Sequence, residues 1–558
     1  MKTNLLGIED YIVFAVYFVI VAAYGFYIYY QKKSQATGSK DYFLAEGSLT
    51  WWAIGASLIA SNISAEQFIG MSGSGFKMGL AIATYEWMAA LTLIIVAVFF
   101  IPVYLKNKIA TMPQFLHQRY NGTVAMIMAV FWLLLYVVVN LTSILYLGAL
   151  AVSSISGFSI EMCMYAIAAF AIIITLGGMK VIGYTDVIQV FFLILGGLAT
   201  TYLALNLVST HYGTTGVING YNLMSTKAAE HFHMILKPEN ENYIDLPGLS
   251  VLIGGMWIVN LNYWGCNQYI TQRALGADLK TARGGLLFAA FLKLLMPIIV
   301  VLPGIAAYVL YKDGAFQREM LQGGEVNPDR AYPVLLNLLP AGLKGLSFAA
   351  LTAAVVASLA GKANSIATIF TLDIYKKIFN TGASERNQVN TGKAAVVIAM
   401  ILGVLIAPHL GIDKKGGFQY IQEYTGFVSP GIFAMFILGF FWKKATSNAA
   451  LFATIGGFGL SLLLKFLPSM TNLQVLSQTG FSVRNTAGLY EIPFLDRMGF
   501  VFVFCIIGMF IISMVESRKL VNPKGLDIDS SMFRTTTSFA VGALIIAGLV
   551  VALYSVYW

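Results

Sequence analysis

Apolar runs long enough to cross a lipid bilayer follow one another along almost all of this 558-residue chain. A membrane-spanning helix needs about 20 mostly apolar residues, and fourteen such stretches can be delimited in the sequence. Only 11% of the residues are charged, whereas soluble domains carry roughly a quarter. Because a backbone inside lipid must satisfy its own hydrogen bonds, these runs predict an all-α polytopic membrane protein with about fourteen transmembrane helices.

We number these predicted spans 1 to 14 in chain order. They lie near residues 9–30, 51–74, 81–105, 124–155, 159–178, 184–208, 248–270, 281–311, 342–375, 392–410, 418–441, 446–467, 495–516 and 533–556.

Basic residues concentrate in alternate short loops between the spans. Lys32 and Lys33 follow span 1, and lysine pairs at 376–377 and 443–444 follow later spans. This positive-inside pattern places both termini outside the cell or in the periplasm, in a multi-pass protein of the plasma (inner) membrane. The net charge of +9 therefore reflects membrane topology rather than nucleic-acid binding.

The sequence contains no Walker loop, no nucleotide-binding glycine motif after a strand and no catalytic-triad pattern. We therefore expect neither an ATP-driven pump nor another enzyme. The three cysteines have no spacing typical of zinc or of a disulfide framework.

Span 2 is interrupted by polar residues where a membrane helix should be most apolar. Its stretch Leu58–Met71, LIASNISAEQFIGM, carries Ser61, Asn62, Ser64, Glu66 and Gln67, and glycines follow it. A charged group at the centre of the bilayer costs roughly 2.5–3.5 kcal/mol on insertion scales. Irregular backbone is tolerated at that depth only where it lines a cavity. The stretch predicts a helix that unwinds part-way beside a binding cavity.

Span 7 shows the same kind of interruption. Within 251–273 it carries Asn260, Asn262, Tyr263 and Asn267 together with three glycines. Two broken spans five apart are typical of transporters built from inverted repeats. We therefore predict a 5+5 arrangement with spans 2–6 at 51–208 and spans 7–11 at 248–441. An extra helix and cytoplasmic loop at 1–50, an extracellular loop at 209–247 and peripheral helices at 442–558 complete this division.

Several long strings resemble the sodium/solute symporter family, in particular its bacterial sodium/sugar members. They are ASNISAEQFIGMSGSG at 60–75, ATYEWMAALTLI at 83–94, YTDVIQVFFLILGG at 184–197, NYWGCNQYITQR at 262–273, LFAAFLKL at 287–294, NSIATIFTLDIY at 364–375 and FQYIQEYTGFVSPGI at 418–432. The resemblance implies the leucine-transporter type of fold. It also implies sodium-coupled symport of a hexose similar to galactose or glucose, by alternating access.

The resemblance also implies which residues bind the sugar and gate its path. Carboxylate, amide and ammonium groups suit sugar hydroxyls, and acid and base should balance for an uncharged substrate. The matching sugar-binding positions are Gln67, Glu86, Asn260, Lys293 and Gln422. Tyr263 matches the inner gate, and Met71, Tyr85 and Phe418 match the outer gate. A family serine that contacts the sugar is replaced by Ala89, which leaves the choice of hexose or inositol open.

The sodium site departs from the family pattern. The resemblance implies backbone carbonyls at Ala60, Ile63 and Ala354 and two adjacent hydroxyls, of which only Ser358 is present because the other position is Ala357. Lys362 lies one turn after Ser358. Asp186 matches a residue that helps bind a second sodium in some relatives.

Three interpretations follow from Ala357 and Lys362. Sodium still binds at a weakened site while Lys362 snorkels toward the inner exit. Alternatively, the Lys362 ammonium pairs with Asp186 and replaces the cation, so that transport is sodium-independent or proton-coupled. As a third possibility, the protein senses a sugar without coupled flux.

Overall fold

A computed structural model describes residues 6–32, 49–322, 324–409, 417–485, 487–516 and 525–558. The predicted cytoplasmic loop after span 1, including Lys33 and Lys40, lies outside these residues. The described chain is mostly helical. Its α-helices are Ile8–Lys32, Trp51–Asn62, Ser72–Met78, Thr84–Ile95, Ile101–Lys106, Met112–Arg119, Gly122–Leu134, Thr142–Ser156, Ile160–Thr175, Gly178–His211, Val217–Lys227, Ser250–Ile253, Gly255–Gly265, Gln268–Leu275, Leu279–Lys312, Ala331–Leu336, Leu343–Thr368, Glu385–Ile406, Gly417–Gly426, Ser429–Phe441, Ser447–Leu451, Gly457–Phe466, Phe494–Glu516 and Thr537–Val556.

Wider π-helical turns continue or connect several of these helices. They are Glu66–Met71, Val96–Phe100, Leu135–Leu141, Ile369–Phe379 and Phe452–Gly456. Short 3₁₀ turns occupy Gly79–Ala83, Ala229–His231, Glu241–Ile244, Pro328–Arg330, Ala407–His409, Leu467–Ser469, Gln474–Thr479 and Ser530–Phe533. Two small antiparallel hairpins pair Leu321–Gln322 with Glu325–Val326, and Val483–Arg484 with Tyr490–Glu491.

Within the described residues, ten helices are long and apolar enough to cross a membrane, or eleven if the bent pair at 417–441 is one span. The prediction of a polytopic α-helical membrane protein is therefore confirmed. The remaining spans of the predicted fourteen are interrupted or short, as in Ile160–Thr175. The count of fourteen and the 5+5 repeat stay predictions.

The break in span 2 lies where the sequence predicts it, and polar side chains stabilise it. The first helix ends at Asn62, and Ile63 has extended dihedral angles of −79° and 106°. The Gln67 side-chain oxygen accepts the Ser64 amide at 3.0 Å, and the Ser64 hydroxyl accepts the Glu66 amide at 3.1 Å. These bonds form a variant of the Ser-x-x-Gln capping box, in which the serine hydroxyl accepts the amide two residues later rather than three, and they start the next helical segment.

Span 7 breaks between Gly265 and Gln268, again as predicted. Buried tyrosines from neighbouring helices satisfy the freed backbone groups. The Tyr104 hydroxyl donates to the Gly265 carbonyl at 2.6 Å, and the Tyr136 hydroxyl accepts the Gln268 amide at 3.2 Å. Unpaired backbone groups are costly in a membrane interior, so these tyrosines are structural parts of the break.

A third break, in span 11, was not predicted from the sequence. Helices Gly417–Gly426 and Ser429–Phe441 meet at an angle of 51°. Gly426 and Pro430, which flank the bend, are the sequence signal for it. The Ser429 hydroxyl bonds the Thr425 carbonyl at 2.8 Å, which supplies a partner to a carbonyl near the bend.

The long loops and both ends of the described chain lie on one face of the molecule. Asp10 accepts the amides of Gly342 and Gly345, both at 2.8 Å, at the start of span 9. His211, the last residue of the helix before the loop at 212–249, lies 3.3 Å from Asp313 at the start of the loop at 313–342. The Met234 amide donates to the Tyr557 carbonyl at 2.7 Å. Which side of the membrane this face occupies stays a prediction.

Close packing of span 8 on the second half of span 2 depends on glycine. A Cβ at Gly304 would overlap the Ser72 carbonyl oxygen, and one at Gly75 would lie 2.8 Å from the Val301 carbonyl oxygen. These two glycines let the two helices approach at backbone distance.

We expect Gly304→Ala to lower the free energy of unfolding by about 1–3 kcal/mol, because overpacking forces the backbones apart. Gly459→Ala is the matched control, since Gly459 is helical, exposed and has no atom within 4 Å of its added Cβ. Thermal unfolding of both purified variants in detergent measures the difference. Equal melting temperatures would contradict the close packing.

Candidate functional site

The first polar cluster joins spans 2, 3, 7 and 8 beside the helical breaks. The Lys293 ammonium lies 2.5 Å from Glu86 Oε2 and also donates to Asn62 Oδ1. The Asn62 amide donates in turn to the Tyr263 hydroxyl at 2.9 Å. Lys293 also lies 5.2 Å from the centre of the Trp264 ring. Glu86 and Lys293 are 3% and 1% exposed, so their charges are compensated by each other rather than by water.

Three further predicted sugar-binding residues lie on helices around this cluster. Asn260 is buried, and its side chain bonds the Met256 carbonyl at 3.2 Å on its own helix. Gln67 is buried and its side-chain oxygen is engaged in the capping box. Gln422 is half-buried on the helix Gly417–Gly426, which packs against Glu66–Met71. The structure therefore bonds Glu86 to Lys293 directly and places the other three on adjoining segments.

Sequence reasoning did not assign a role to Asn62 or Trp264. Asn62 stands in the polar stretch of span 2 and Trp264 follows Tyr263, so the signal for both was their position beside a break. Asn62 bonds both Lys293 and Tyr263. The Trp264 ring lies beside the Lys293 ammonium. Ala89, one turn after Glu86, is buried and supplies no hydroxyl.

The three predicted outer-gate residues are all buried. The rings of Tyr85 and Phe418 meet edge to face with their centres 5.0 Å apart. Met71 is fully buried, and the neighbouring Gly70 has no room for a Cβ against the Phe418 backbone. The second half of span 2 therefore packs directly on the start of span 11.

Asp329, in the loop at 313–342, bonds the start of the helix Gly417–Gly426. Its Oδ2 accepts the Gly417 amide at 2.7 Å, and its Oδ1 lies 2.5 Å from the position of a Cβ on Gly73. Burial raises the pKa of Asp329 from 3.8 to about 6, although the Gly417 amide opposes the shift. The carboxyl group thus bonds the loop to the start of span 11 and packs against Gly73 of span 2.

The predicted sodium-site positions lie where the first helix of span 2 ends beside span 9. The Ser358 hydroxyl donates to the Ser61 carbonyl at 3.1 Å. The Ser64 amide donates to Gln67 instead of continuing the helix, so the Ala60 carbonyl lacks its usual helical partner. Ala354 and Ala357 are buried in the same helix as Ser358. The carbonyl and hydroxyl oxygens suit a small hard cation, while the Ala357 side chain supplies no hydroxyl.

Asp186 and Lys362 do not pair, contrary to one interpretation of the sequence. Ser57 donates to Asp186 at 2.5 Å, and the Arg273 guanidinium, which donates to Ser57 at 2.9 Å, lies 3.9 Å from the same carboxylate. A Cβ on Gly361 would lie 2.5 Å from Arg273 Nη2. Gly361 therefore faces Arg273, and the next residue, Lys362, is turned about 100° away around the helix.

Lys362 is instead directed to Glu66. Its ammonium lies 3.9 Å from Glu66 Oε1 and 5.1 Å from the centre of the Tyr269 ring. It is 3% exposed, so it does not snorkel toward water in this structure. Arg273, at the end of span 7, is fully buried as well.

Comparison with known proteins then identifies the chain. The profile of the "Sodium:solute symporter family" matches residues 42–457. The chain belongs to this family. A "Sodium/glucose cotransporter" of Vibrio parahaemolyticus is 46% identical over 564 residues, covering 99% of each chain. A human "Sodium/myo-inositol cotransporter 2" is 33% identical over 482 residues, covering 82% of this chain and 70% of the relative.

A solved structure has a similar fold. It is a Na⁺-coupled sialic acid symporter in a substrate-bound outward-open state, with a TM-score of 0.74 and 21% identity, covering 92% of this chain and 99% of that one. At this identity the likeness shows the fold alone. As a family member the chain is a multi-pass membrane protein of a transporter family, which agrees with the expectation that it is not an enzyme.

We expect removal of either member of the Glu86–Lys293 pair to lower the free energy of unfolding by roughly 3–5 kcal/mol, because a buried charge is left uncompensated. The double variant Glu86→Gln/Lys293→Met should recover part of that loss. Thermal unfolding in detergent measures all three variants. The exposed pair of Lys312 and Glu230, 3.7 Å apart, is the control and should change stability by no more than about 1 kcal/mol. A double variant as unstable as the sum of the singles would contradict the pairing.

The raised pKa of Asp329 predicts a stability that falls as pH rises from about 4 to about 6. In this window the folded state binds more protons than the unfolded state, so the free energy of unfolding decreases with pH. The total change is on the order of 2–3 kcal/mol. Melting temperatures between pH 4 and 7.5 should show this slope, and Asp329→Asn should reduce it. Glu325→Gln, at an exposed position of the same loop, should leave it unchanged; an equal slope in Asp329→Asn would refute the assignment.

Proposed function

We propose that this protein carries out sodium-coupled symport of a hexose by alternating access. The observation that carries the proposal is the buried Glu86–Lys293 pair with Asn62 and Tyr263 beside the breaks in spans 2 and 7. The cluster has no net charge, presents donors and acceptors, and is flanked by the Trp264 ring. These are the groups that an uncharged polyhydroxylated ring requires. The names of the glucose and inositol relatives support a substrate of this class.

The sugar would be bound by Gln67, Glu86, Asn260, Lys293 and Gln422, with Tyr263 as the inner gate and Met71, Tyr85 and Phe418 as the outer gate. In the structure the side-chain bonds of Lys293, Asn62 and Tyr263 form one chain. Hydrogen bonds to sugar hydroxyls can replace these side-chain bonds at little net cost in free energy, because each bond that is lost is replaced by a similar one. Tyr263 would then leave Asn62 when the inner path opens.

Sodium is proposed to bind at the carbonyls of Ala60, Ile63 and Ala354 and the hydroxyl of Ser358. These groups come from spans 2 and 9, so a bound cation favours the arrangement in which the two spans meet. Entry of one positive charge down a potential of 100 mV contributes roughly 2.3 kcal/mol to sugar accumulation.

A second candidate is a sodium-independent or proton-coupled sugar transporter, or a sugar sensor. The absent hydroxyl at Ala357 and the cation at Lys362 favour it. Against it, the Lys362 ammonium is directed to Glu66 rather than into the oxygens around Ser358. We therefore propose that sodium coupling is retained at a weakened site.

Uptake of radiolabelled galactose, glucose and myo-inositol into proteoliposomes tests both candidates. With an inward sodium gradient we expect hexose uptake that rises above its equilibrium level, and with an equal potassium gradient only equilibration. Sugar-specific uptake indifferent to sodium, measured at two pH values, would favour the second candidate, and binding without flux would favour the sensor. A preference for myo-inositol would overturn the hexose assignment alone.

Restoring the second hydroxyl provides a matched variant. We expect Ala357→Ser to lower the sodium concentration for half-maximal uptake by about threefold to tenfold, as one added ligand contributes about 0.5–1.5 kcal/mol. Ala353→Ser, in the same buried helix one turn earlier, controls for a serine added elsewhere. An unchanged sodium dependence in Ala357→Ser would argue against this site.

A further inference from the structure

The ion pair of Glu66 and Lys362 joins span 2 to span 9 and includes none of the proposed sodium ligands. Glu66 is the first residue of the π-helical segment after the break in span 2, and Lys362 lies in the long helix Leu343–Thr368 of span 9. Their Oε1 and Nζ atoms are 3.9 Å apart, with exposed side-chain fractions of 13% and 4%. The Ser143 hydroxyl of span 4 donates to the same carboxylate oxygen at 3.0 Å.

The surroundings of Glu66 contain no competing cation within ion-pair distance among the described residues. The titratable groups that face it from span 7 are the phenols of Tyr263 and Tyr269. Arg273 is directed to Asp186, and Lys293 to Glu86. Each of these cations already faces a carboxylate, so Lys362 is the group that compensates Glu66.

A carboxylate at this depth requires a compensating positive charge or a proton. Without a fixed partner it would take up a proton or an exchangeable metal cation, since an isolated buried charge is strongly disfavoured. Its oxygens and the Ser143 hydroxyl are the kind of ligands that a sodium ion accepts. An ammonium tethered to span 9 satisfies the same electrostatic need permanently.

We propose that Lys362 is a built-in cation that occupies a cation site formed by Glu66 and Ser143. Glu66 therefore exchanges neither sodium nor a proton during transport, and coupling uses the single sodium site at Ser358. This inference rests on the proposed function for its transport consequence, but the pairing itself is independent of transport.

The experiment compares the parent protein with Lys362→Met, Lys362→Arg, Glu66→Gln and the double variant Glu66→Gln/Lys362→Met. Hexose uptake is measured against external sodium at fixed ionic strength, with potassium as the replacement ion. Melting temperatures of the same proteins in detergent are measured in sodium and in potassium. Lys312→Met, which removes an exposed cation from its pair with Glu230, is the control.

For the parent and Lys312→Met we expect sodium activation with a Hill coefficient of about one, because the coefficient is bounded by the number of coupled sites. In Lys362→Met the freed carboxylate should recruit a second ion, so the coefficient should rise toward about two. The melting temperature of this variant should become higher in sodium than in potassium, since a bound ligand stabilises the folded state. Lys362→Arg and the double variant should return to the behaviour of the parent.

The proposal is overturned if Lys362→Met keeps the sodium dependence of the parent in both measurements, or if adding Glu66→Gln to it restores nothing. If the parent shows no sodium-activated uptake, the proposed function fails. The comparison of melting temperatures still decides the pairing in that case. If Lys362→Met does not fold in potassium, recovery of folding in sodium or in the double variant supports the proposal, and failure in all of these conditions contradicts it.

Discussion

The need to satisfy backbone groups where a membrane helix stops half-way shapes the centre of this molecule. At the break in span 2 the side chains of Ser64 and Gln67 bond the amides that begin the next segment. On the other side of the break, the Ser61 carbonyl at the end of the first helix accepts the Ser358 hydroxyl of span 9. The same local arrangement therefore both stabilises an irregular backbone and supplies backbone oxygens of the cation site that we propose. A straight helix would offer neither.

Span 2 also makes contact with every one of the buried charge pairs discussed above. Successive polar residues along it bond or pair with a different set of partners on spans 3, 6, 7, 8 and 9. The contacts are those of Ser57 with Asp186 and Arg273, of Asn62 with Lys293, and of Glu66 with Lys362. Each set is neutral in total, so the segment can carry polar groups through the membrane interior without a net buried charge. A movement of span 2 would alter all three sets together.

The sequence was sufficient to predict the fold class, both breaks in spans 2 and 7 and the residues that surround the polar cluster. Apolar runs and polar interruptions report on local environment, which a single sequence contains. It was insufficient to predict which charges meet, because this depends on rotation about each helix axis. Gly361 and Lys362 are neighbours in sequence but face Arg273 and Glu66 respectively. The bend in span 11 was missed although Gly426 and Pro430 flank it, because glycine and proline also occur frequently in membrane helices.

The shared face of the two chain ends has a practical consequence for work with reconstituted vesicles. Asp10 is bonded to the start of span 9, and Tyr557 to the loop at 212–249, on the same side of the protein. We expect short affinity tags placed next to Asp10 and Tyr557 to be exposed to the same compartment. A protease added outside would remove both tags or neither from any one molecule. The fraction cleaved would then report how many transporters are inserted in each direction.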